Sequence, residues 1–203
     1  MLNLPSTYIC FDIETSGLSF DKDHVIEIGY IFAKDGVPIK SNSTLIQMPD
    51  NKKLDRNITR ITGISNHDLQ SSGISVLKAL DWFNQLIGLD YPLVGHNIFR
   101  FDQPFLLAVA RKYNHPLKDN LGPNRLIDTA VIYKGSKMDL KEIPDEPFML
   151  YASRVLDKPV KGLKYNLQAA CEEKNVKTND VRAHRAAADV LITHRLYEAL
   201  RTT

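Results

Sequence analysis

The sequence is poor in cysteine and lacks long hydrophobic runs. Its 203 residues include two cysteines, Cys10 and Cys171, which are too few for a disulfide scaffold or a cysteine-rich zinc site. No run approaches the roughly 18 uncharged apolar residues of a membrane span, and no signal-peptide pattern opens the chain. We therefore expect a soluble cytoplasmic protein in a reducing compartment, without a membrane partner.

A strong excess of one charge is also absent. Lys and Arg total 26 and Asp and Glu total 24, so the formal net charge is +2. This balance permits a polyanionic partner but does not predict one. Hydrophobic residues make up 43% of the chain and charged residues 25%, which excludes a disordered or coiled-coil protein. At this length, residues 1–203 are expected to form a single domain.

The hydrophobic pattern predicts a mixed sheet with helices on its faces. Three antiparallel strands are expected first, over Tyr8 to Glu14, about Val25 to Ala33, and around Ser43 to Met48 after an Asp-Gly turn. The elements predicted further along are a helix over Val76 to Ile87, a strand over Tyr91 to Val94, a helix over Pro104 to Tyr113, a strand over Arg125 to Ile127, and helices over about Leu163 to Lys174 and Ala186 to Leu200. The segments around Ile61 to Ile64 and from Lys134 to Pro147 are predicted to be loops.

Two pairs of polar residues lie at the ends of predicted strands. Asp12 and Glu14 are two residues apart on the first strand, so their side chains share one face, as metal ligands would. Solvated acids at a strand end would give the same pattern. Asp102 precedes a helix and can be its N-cap. The upstream His96 and Asn97 follow a buried strand at the edge where ligands bind in sheets with parallel strands, so Asp102 can serve both roles.

Asp189 is an acid on an apolar helix face. It shares that face with Ile192 and Leu196 and is therefore expected to point toward the core. A buried carboxylate is tolerated when it binds a metal or pairs with a cation, and the one cation close enough on that side is Arg185. His184 lies about 140° away around the same helix, so it is expected to project from the preceding loop.

Three segments resemble, in order and spacing, the three exonuclease motifs of the DEDDh family. These segments are Phe11 to Leu18, Gly95 to Asp102, and His184 to Asp189. Further similar segments are Val25 to Gly29, Ile61 to Ile64, Ile127 to Thr129, and Leu163 to Ala170. The resemblance therefore covers nearly the whole chain.

The resemblance implies a ribonuclease H-like α/β fold, with a mixed five-stranded sheet of three antiparallel and then parallel strands flanked by helices. It also implies release of nucleoside 5′-monophosphates from a 3′ end with two Mg²⁺ or Mn²⁺ ions as cofactors. In that scheme Asp12 bridges both ions, Glu14 and Asp189 hold the first, and Asp102 supports the second. His184 is the general base, because an imidazole accepts a proton near neutral pH.

The resemblance further implies a set of residues that hold the terminal nucleotide. They are Thr15, Ser16, Gly17, Leu18, Ile64, His96, Asn97 and Phe101. The separation of five positions between Asn97 and Asp102 is similar to that in the three-prime repair exonucleases and exonuclease I, and it is one position longer than in many proofreading subunits. Single-stranded DNA is therefore the favoured substrate.

Other functions and partners stay open at this point. An RNA-trimming exonuclease of the same chemistry is the first alternative, and a non-catalytic module that binds nucleic acid or a polymerase is the second. The chain can act alone, as a homodimer or with a polymerase. Three lysines, Lys158, Lys161 and Lys164, can line a path for the nucleic-acid backbone or can form a solvated face.

Overall fold

A five-stranded mixed sheet forms the centre of the fold. The computed structural model describes residues 2–49, 52–138, 140, 143–181 and 184–202. The strands are β1 (Tyr8–Thr15), β2 (Val25–Lys34), β3 (Val37–Leu45), β4 (Leu93–Gly95) and β5 (Leu126–Asp128). Their order is β3-β2-β1-β4-β5. Strands β1 to β3 are antiparallel, whereas β4 runs parallel to both β1 and β5, so the predicted α/β fold is confirmed.

Helices cover both faces of the sheet. They are α1 (Arg56–Thr62), α2 (Asn66–Ser72), α3 (Val76–Ile87), α4 (Asp102–Lys112), α5 (Leu117–Asn120), α6 (Thr129–Gly135), α7 (Phe148–Leu156), α8 (Leu167–Glu173) and α9 (Ala186–Arg201). Within the described part of the chain, no helix combines the length and apolarity needed to cross a membrane.

Strand β1 divides its side chains between two cores. Phe11 packs on the face covered by α3 and α4, whereas Cys10 packs with Val190 of α9 on the other face. Because side chains alternate along a strand, Asp12 and Glu14 continue the series that faces α9. The strand period therefore directs both acids toward the helix that carries the last motif.

The third strand differs from its prediction. It was expected around Ser43 to Met48, but it spans Val37–Leu45 and starts directly after the turn. Asp35 and Gly36 have φ values of 52° and 77°, which suit a two-residue hairpin turn. Strand β3 lies at the sheet edge and most of its side chains are exposed. Its alternation is limited to Val37 and Ile39, because residues 40–44 are all polar, and this is too short a pattern to mark the strand.

Two short helices replace the loop that was predicted around Ile61 to Ile64. Helix α1 begins after the N-cap Asp55 and ends at Gly63, which adopts a left-handed φ of 71°. Helix α2 begins with a capping box between Ser65 and Asp68. Each helix has seven residues, too few for the repeated apolar spacing on which the prediction relied. Local capping defines these helices instead.

The predicted loop from Lys134 to Pro147 begins inside helix α6. Lys134 is buried in α6, and α7 starts directly after Pro147. Residues 139, 141 and 142 of this segment lie outside the described residues. The next helix was expected from Leu163, but α8 starts at Leu167, because the side chain of Asn166 caps it by accepting the N–H of Ala169.

Candidate active site

Three carboxylates meet at the end of β1. Asp12, Glu14 and Asp189 each place an oxygen atom within 4.8 Å of the other two. Strand β1 supplies the first two acids and the first turn of α9 supplies the third. Charged carboxylates this close repel one another by roughly 4 kcal/mol per pair at about 4 Å, and a divalent cation removes that cost. Carboxylate oxygens fit Mg²⁺ or Mn²⁺.

Asp102 is the fourth acid, and it is 3% exposed. Its Oδ1 accepts the backbone N–H of Ile13 at 3.1 Å, which joins α4 to β1 between the two acids of that strand. Asp102 is the first residue of α4 rather than its N-cap, a position that Phe101 occupies without a capping side chain. The buried carboxylate therefore bonds to β1 and is not the cap of α4.

Burial raises the pKa of all four acids. The pKa of Asp12 lies well above its usual range. Burial is the largest cause of this shift, and repulsion from Asp102 and Asp189 adds to the shift. The pKa of Glu14 is raised to about 8 by burial and then by Asp189. Burial also raises the pKa of Asp102 to about 8 and that of Asp189 above its usual value. Acids that hold their protons this strongly release them when a metal ion binds.

His184 lies two residues before α9 and outside it, as the helical geometry predicted. Its φ is 62° and its side chain is exposed. Its backbone N–H donates to Oδ2 of Asp189 at 3.1 Å, which places the histidine beside the acid cluster. The two preceding residues, 182 and 183, lie outside the described residues.

A buried ion pair holds the start of α9 against β2. Glu27 is fully buried, and its two oxygens accept Nε and Nη2 of Arg185 at 3.0 Å each. The same carboxylate accepts the N–H of Ala186 at 3.0 Å. Arg185 was the cation that the sequence offered to Asp189, and the structure pairs it with Glu27 instead. Asp189 lies half-buried beside Asp12 and Glu14 of the central strand rather than inside the core.

The role of Glu27 was not predicted from the sequence. A glutamate within the apolar run of β2 is the pattern that could have indicated it, because a buried charge needs a partner. That pattern does not identify the partner, which lies 158 positions away.

A second buried acid holds the loop that follows β4. Asp128 ends β5, and its Oδ1 accepts the N–H of Asn97 at 2.8 Å and that of Ala130 at 2.9 Å. Its Oδ2 accepts the N–H of Phe99 at 3.4 Å. Burial raises the pKa of Asp128 to about 6. The sequence resemblance included Asp128 without assigning this positioning role.

The predicted nucleotide-binding loop after β1 is held by its own hydrogen bonds. The hydroxyl of Thr15 donates to the carbonyl of Gly17 at 2.6 Å, and that of Ser16 donates to Asp23 at 3.3 Å. These contacts leave Leu18 81% exposed. An exposed apolar side chain in the loop that follows Glu14 suits contact with a nucleic-acid base.

The other predicted nucleotide-binding residues have different surroundings. His96, Asn97 and Phe101 lie in the loop between β4 and α4, and all three are partly buried. Nε2 of His96 donates to the carbonyl of Tyr165 at 3.0 Å, and burial lowers the pKa of this imidazole to about 4, so it is neutral at physiological pH. Ile64 is 2% exposed, so its side chain belongs to the core rather than to an open surface.

Fold and site together define a class of protein: a ribonuclease H-like fold in which three acids that could hold a divalent cation meet at the end of the central strand, with a fourth, Asp102, hydrogen-bonded to the same strand. The chain belongs to the exonuclease family, since the RNase T exonuclease model matches residues 9–197.

Comparison with known proteins gives two groups of similar chains. The chain is 28% identical over 197 residues to the PolC-type DNA polymerase III of Ureaplasma parvum, which is 97% of this chain and 12% of the polymerase. It is 34% identical over 125 residues to the PolC-type DNA polymerase III of Mycoplasma genitalium. This match covers 61% of this chain and 8% of that polymerase. Escherichia coli exonuclease I in complex with a dT13 oligonucleotide has the same fold, with a TM-score of 0.74 at 16% identity over 98% of this chain and 41% of exonuclease I.

Proposed function

We propose that this domain is a metal-dependent 3′-to-5′ exonuclease that releases nucleoside 5′-monophosphates. The observation that carries the proposal is the convergence of Asp12, Glu14 and Asp189 within 4.8 Å, with Asp102 bonded to the same strand. Membership of the exonuclease family supports this chemistry. A complete acidic set next to a histidine disfavours the non-catalytic alternative.

The acids and the histidine have different roles in the proposed reaction. Glu14 and Asp189 would hold one Mg²⁺ or Mn²⁺ ion, Asp102 would support a second, and Asp12 would contact both. Such ions polarise the scissile phosphate and lower the pKa of the attacking water. His184, exposed beside Asp189, would accept the proton of the attacking water.

Single-stranded DNA is the substrate that we propose. The solved exonuclease I with this fold holds a dT13 oligonucleotide, and the sequence relatives are DNA polymerases. The exposed Leu18 suits an unpaired base. RNA is the alternative, and matched DNA and RNA oligonucleotides test it because they differ in the 2′-hydroxyl. The relatives' names also support a polymerase as a partner of this domain.

Removal of single acids tests the proposed chemistry. With a 5′-labelled oligonucleotide and Mg²⁺, we expect shortening from the 3′ end that stops in EDTA. Asp12→Asn and Asp189→Asn should each lower the rate by roughly a thousandfold or more, because each removes a charged metal ligand. Asp119→Asn, which changes an exposed acid on α5, is the matched control. Undiminished Mg²⁺-dependent degradation by both variants, with circular dichroism unchanged, would overturn the proposal.

A further inference from the structure

Two cations share one acceptor beside the loop that leads from β4 to α4. Arg100 is exposed, and its Nη2 donates to the carbonyl of Leu156 at 3.1 Å. Lys134 on α6 is 5% exposed, and its Nζ donates to the same oxygen at 3.3 Å. Two positive groups that converge on one carbonyl repel each other. Burial lowers the pKa of Lys134, and the charge of Arg100 lowers it further.

Neither cation has an ion-pair partner among the residues that the structure describes. The charge of Asp157 opposes the lowering of the Lys134 pKa, but it is the smallest of the three influences. The neighbouring Lys137, by contrast, forms an ion pair with Glu173. Arg100 and Lys134 therefore create a local excess of positive charge that an anion would neutralise.

Tyr165 connects these cations to the active site. Its ring centroid lies 5.7 Å from Nζ of Lys134, and its hydroxyl accepts Nη1 of Arg100 at 3.4 Å. Its carbonyl accepts Nε2 of His96 at 3.0 Å. His96 and Arg100 both follow β4, which runs parallel to the strand that ends in the acid cluster. We call Arg100, Lys134 and Tyr165 the basic rim. They lie on the side of the sheet where the parallel strands β1, β4 and β5 end, which is also the side of the acids.

We propose that the basic rim binds a phosphodiester of the substrate strand on the 5′ side of the scissile bond. The proposal rests on the exonuclease function, because an enzyme that cuts at a 3′ end leaves the rest of a charged strand outside its acid cluster. The planar fork of Arg100 matches phosphate oxygens, and Lys134 adds positive charge beneath it. Tyr165 is the positioning residue of the rim.

The surface around the basic rim agrees with a strand path. Tyr165 lies in the segment between α7 and α8, residues 157–166, which also carries three exposed lysines. They are Lys158, Lys161 and Lys164. A strand that leaves the rim toward this segment meets further positive charge, which suits the regularly spaced phosphates of a nucleic acid. We therefore assign the rim to nucleic acid rather than to an acidic peptide.

The test separates binding of a long strand from chemistry at the 3′ end. Arg100→Gln should raise KM for a dT15 oligonucleotide about three- to tenfold and leave kcat unchanged. The slope of the logarithm of the binding constant against the logarithm of the salt concentration should become shallower by about 0.7, because one phosphate contact is lost. Lys134→Met should act in the same direction, and Arg100→Lys should restore part of the affinity. Arg111→Gln, an exposed arginine at the far end of α4, is the matched control. The p-nitrophenyl ester of thymidine 5′-monophosphate carries no upstream phosphate, so its hydrolysis should not change.

Three results would overturn the proposal. The first is an unchanged KM of Arg100→Gln for dT15. The second is that Arg100→Gln loses as much activity on the p-nitrophenyl ester as on dT15, which would mean that Arg100 maintains the geometry of its loop. The third is an oligoglutamate peptide that competes as well as DNA of equal charge.

Binding of labelled dT15 in EDTA separates this proposal from the proposed function, because it needs no turnover. If the wild-type protein degrades no nucleic acid but Arg100→Gln binds DNA more weakly, the exonuclease proposal fails and the basic rim stands. If the wild-type protein degrades dT15 and Arg100→Gln binds it equally well, the basic rim fails alone.

Discussion

His184 is the single residue on which proton transfer depends in the proposed reaction. It lies beside Asp189 through its own N–H, and its exposed side chain is open to the attacking water. Its φ of 62° is a left-handed value that asparagine tolerates better than most residues. Asparagine at this position therefore removes the base with little change in backbone conformation.

We expect His184→Asn to lower kcat by about 10²- to 10⁴-fold, the range that general base catalysis supplies. KM and Mn²⁺ binding should change little, because the acids stay in place. Steady-state kinetics with isothermal titration of Mn²⁺ measure both. His67→Asn, an exposed histidine on α2, is the control. A variant that keeps more than about a tenth of wild-type kcat would exclude His184 as the base.

At the scale of elements, the approach of α9 to β2 positions the last motif. A Cβ on Gly29 of β2 would lie 2.7 Å from the carbonyl carbon of Ala186, so only glycine allows α9 to start this close to the sheet. Two residues before Gly29 on β2, Glu27 forms the ion pair with Arg185 that also holds the start of α9 against this strand. Helix α9 carries Asp189 in its first turn, so this packing sets the position of one acid relative to β1.

We expect Gly29→Ala to destabilise the protein by about 1 to 3 kcal/mol, the usual cost of overpacking. It should also lower kcat at temperatures well below the melting point, because α9 moves with Asp189. Gly122→Ala is the matched control, since Gly122 has a φ of −62° and no atom would lie within 4 Å of the new Cβ. Thermal unfolding and kcat at 25 °C measure the two effects. Equal behaviour of the two variants would contradict this account of α9.

At the scale of the whole molecule, the acid cluster links stability to pH. Glu14 and Asp102 have pKa values of about 8 in the folded protein, against ordinary values near 4 in an unfolded chain. The folded state therefore binds more protons than the unfolded state between these values. The stabilising contribution is complete below about pH 4 and is lost as pH rises through about 8.

We accordingly expect the melting temperature in EDTA to fall as pH rises from about 5 to about 8.5. Mg²⁺ or Mn²⁺ should raise it more at the higher pH, because protons compete with the metal for the acids. Asp189→Asn should reduce both effects, whereas Asp119→Asn should keep them. The measurement is differential scanning calorimetry with and without the metal. Identical slopes against pH for wild type and Asp189→Asn would contradict this linkage.

Much of the fold was predictable because several elements carry their own pattern. The alternation of β1 and β2 and the apolar spacing of α3 and α9 identified these elements close to their observed bounds. The polar edge strand β3 and the short helices α1, α2 and α7 were misplaced or missed. Edge position defines β3 and local capping defines α1 and α2, and neither produces an extended hydrophobic period. Helix α7 has no capping side chain, and the sequence prediction gave its nine residues no element.

The sequence by itself determined the chemistry of this protein: which acids are present, and that Asp12 and Glu14 share one face of a strand. Only the tertiary structure decided that Asp189 joins them and that Arg185 binds Glu27 instead of Asp189. The physical reason is distance along the chain. Strand alternation acts between neighbours, whereas the contact between β2 and α9 joins residues 158 positions apart, and no local pattern specifies which strand a helix will cover.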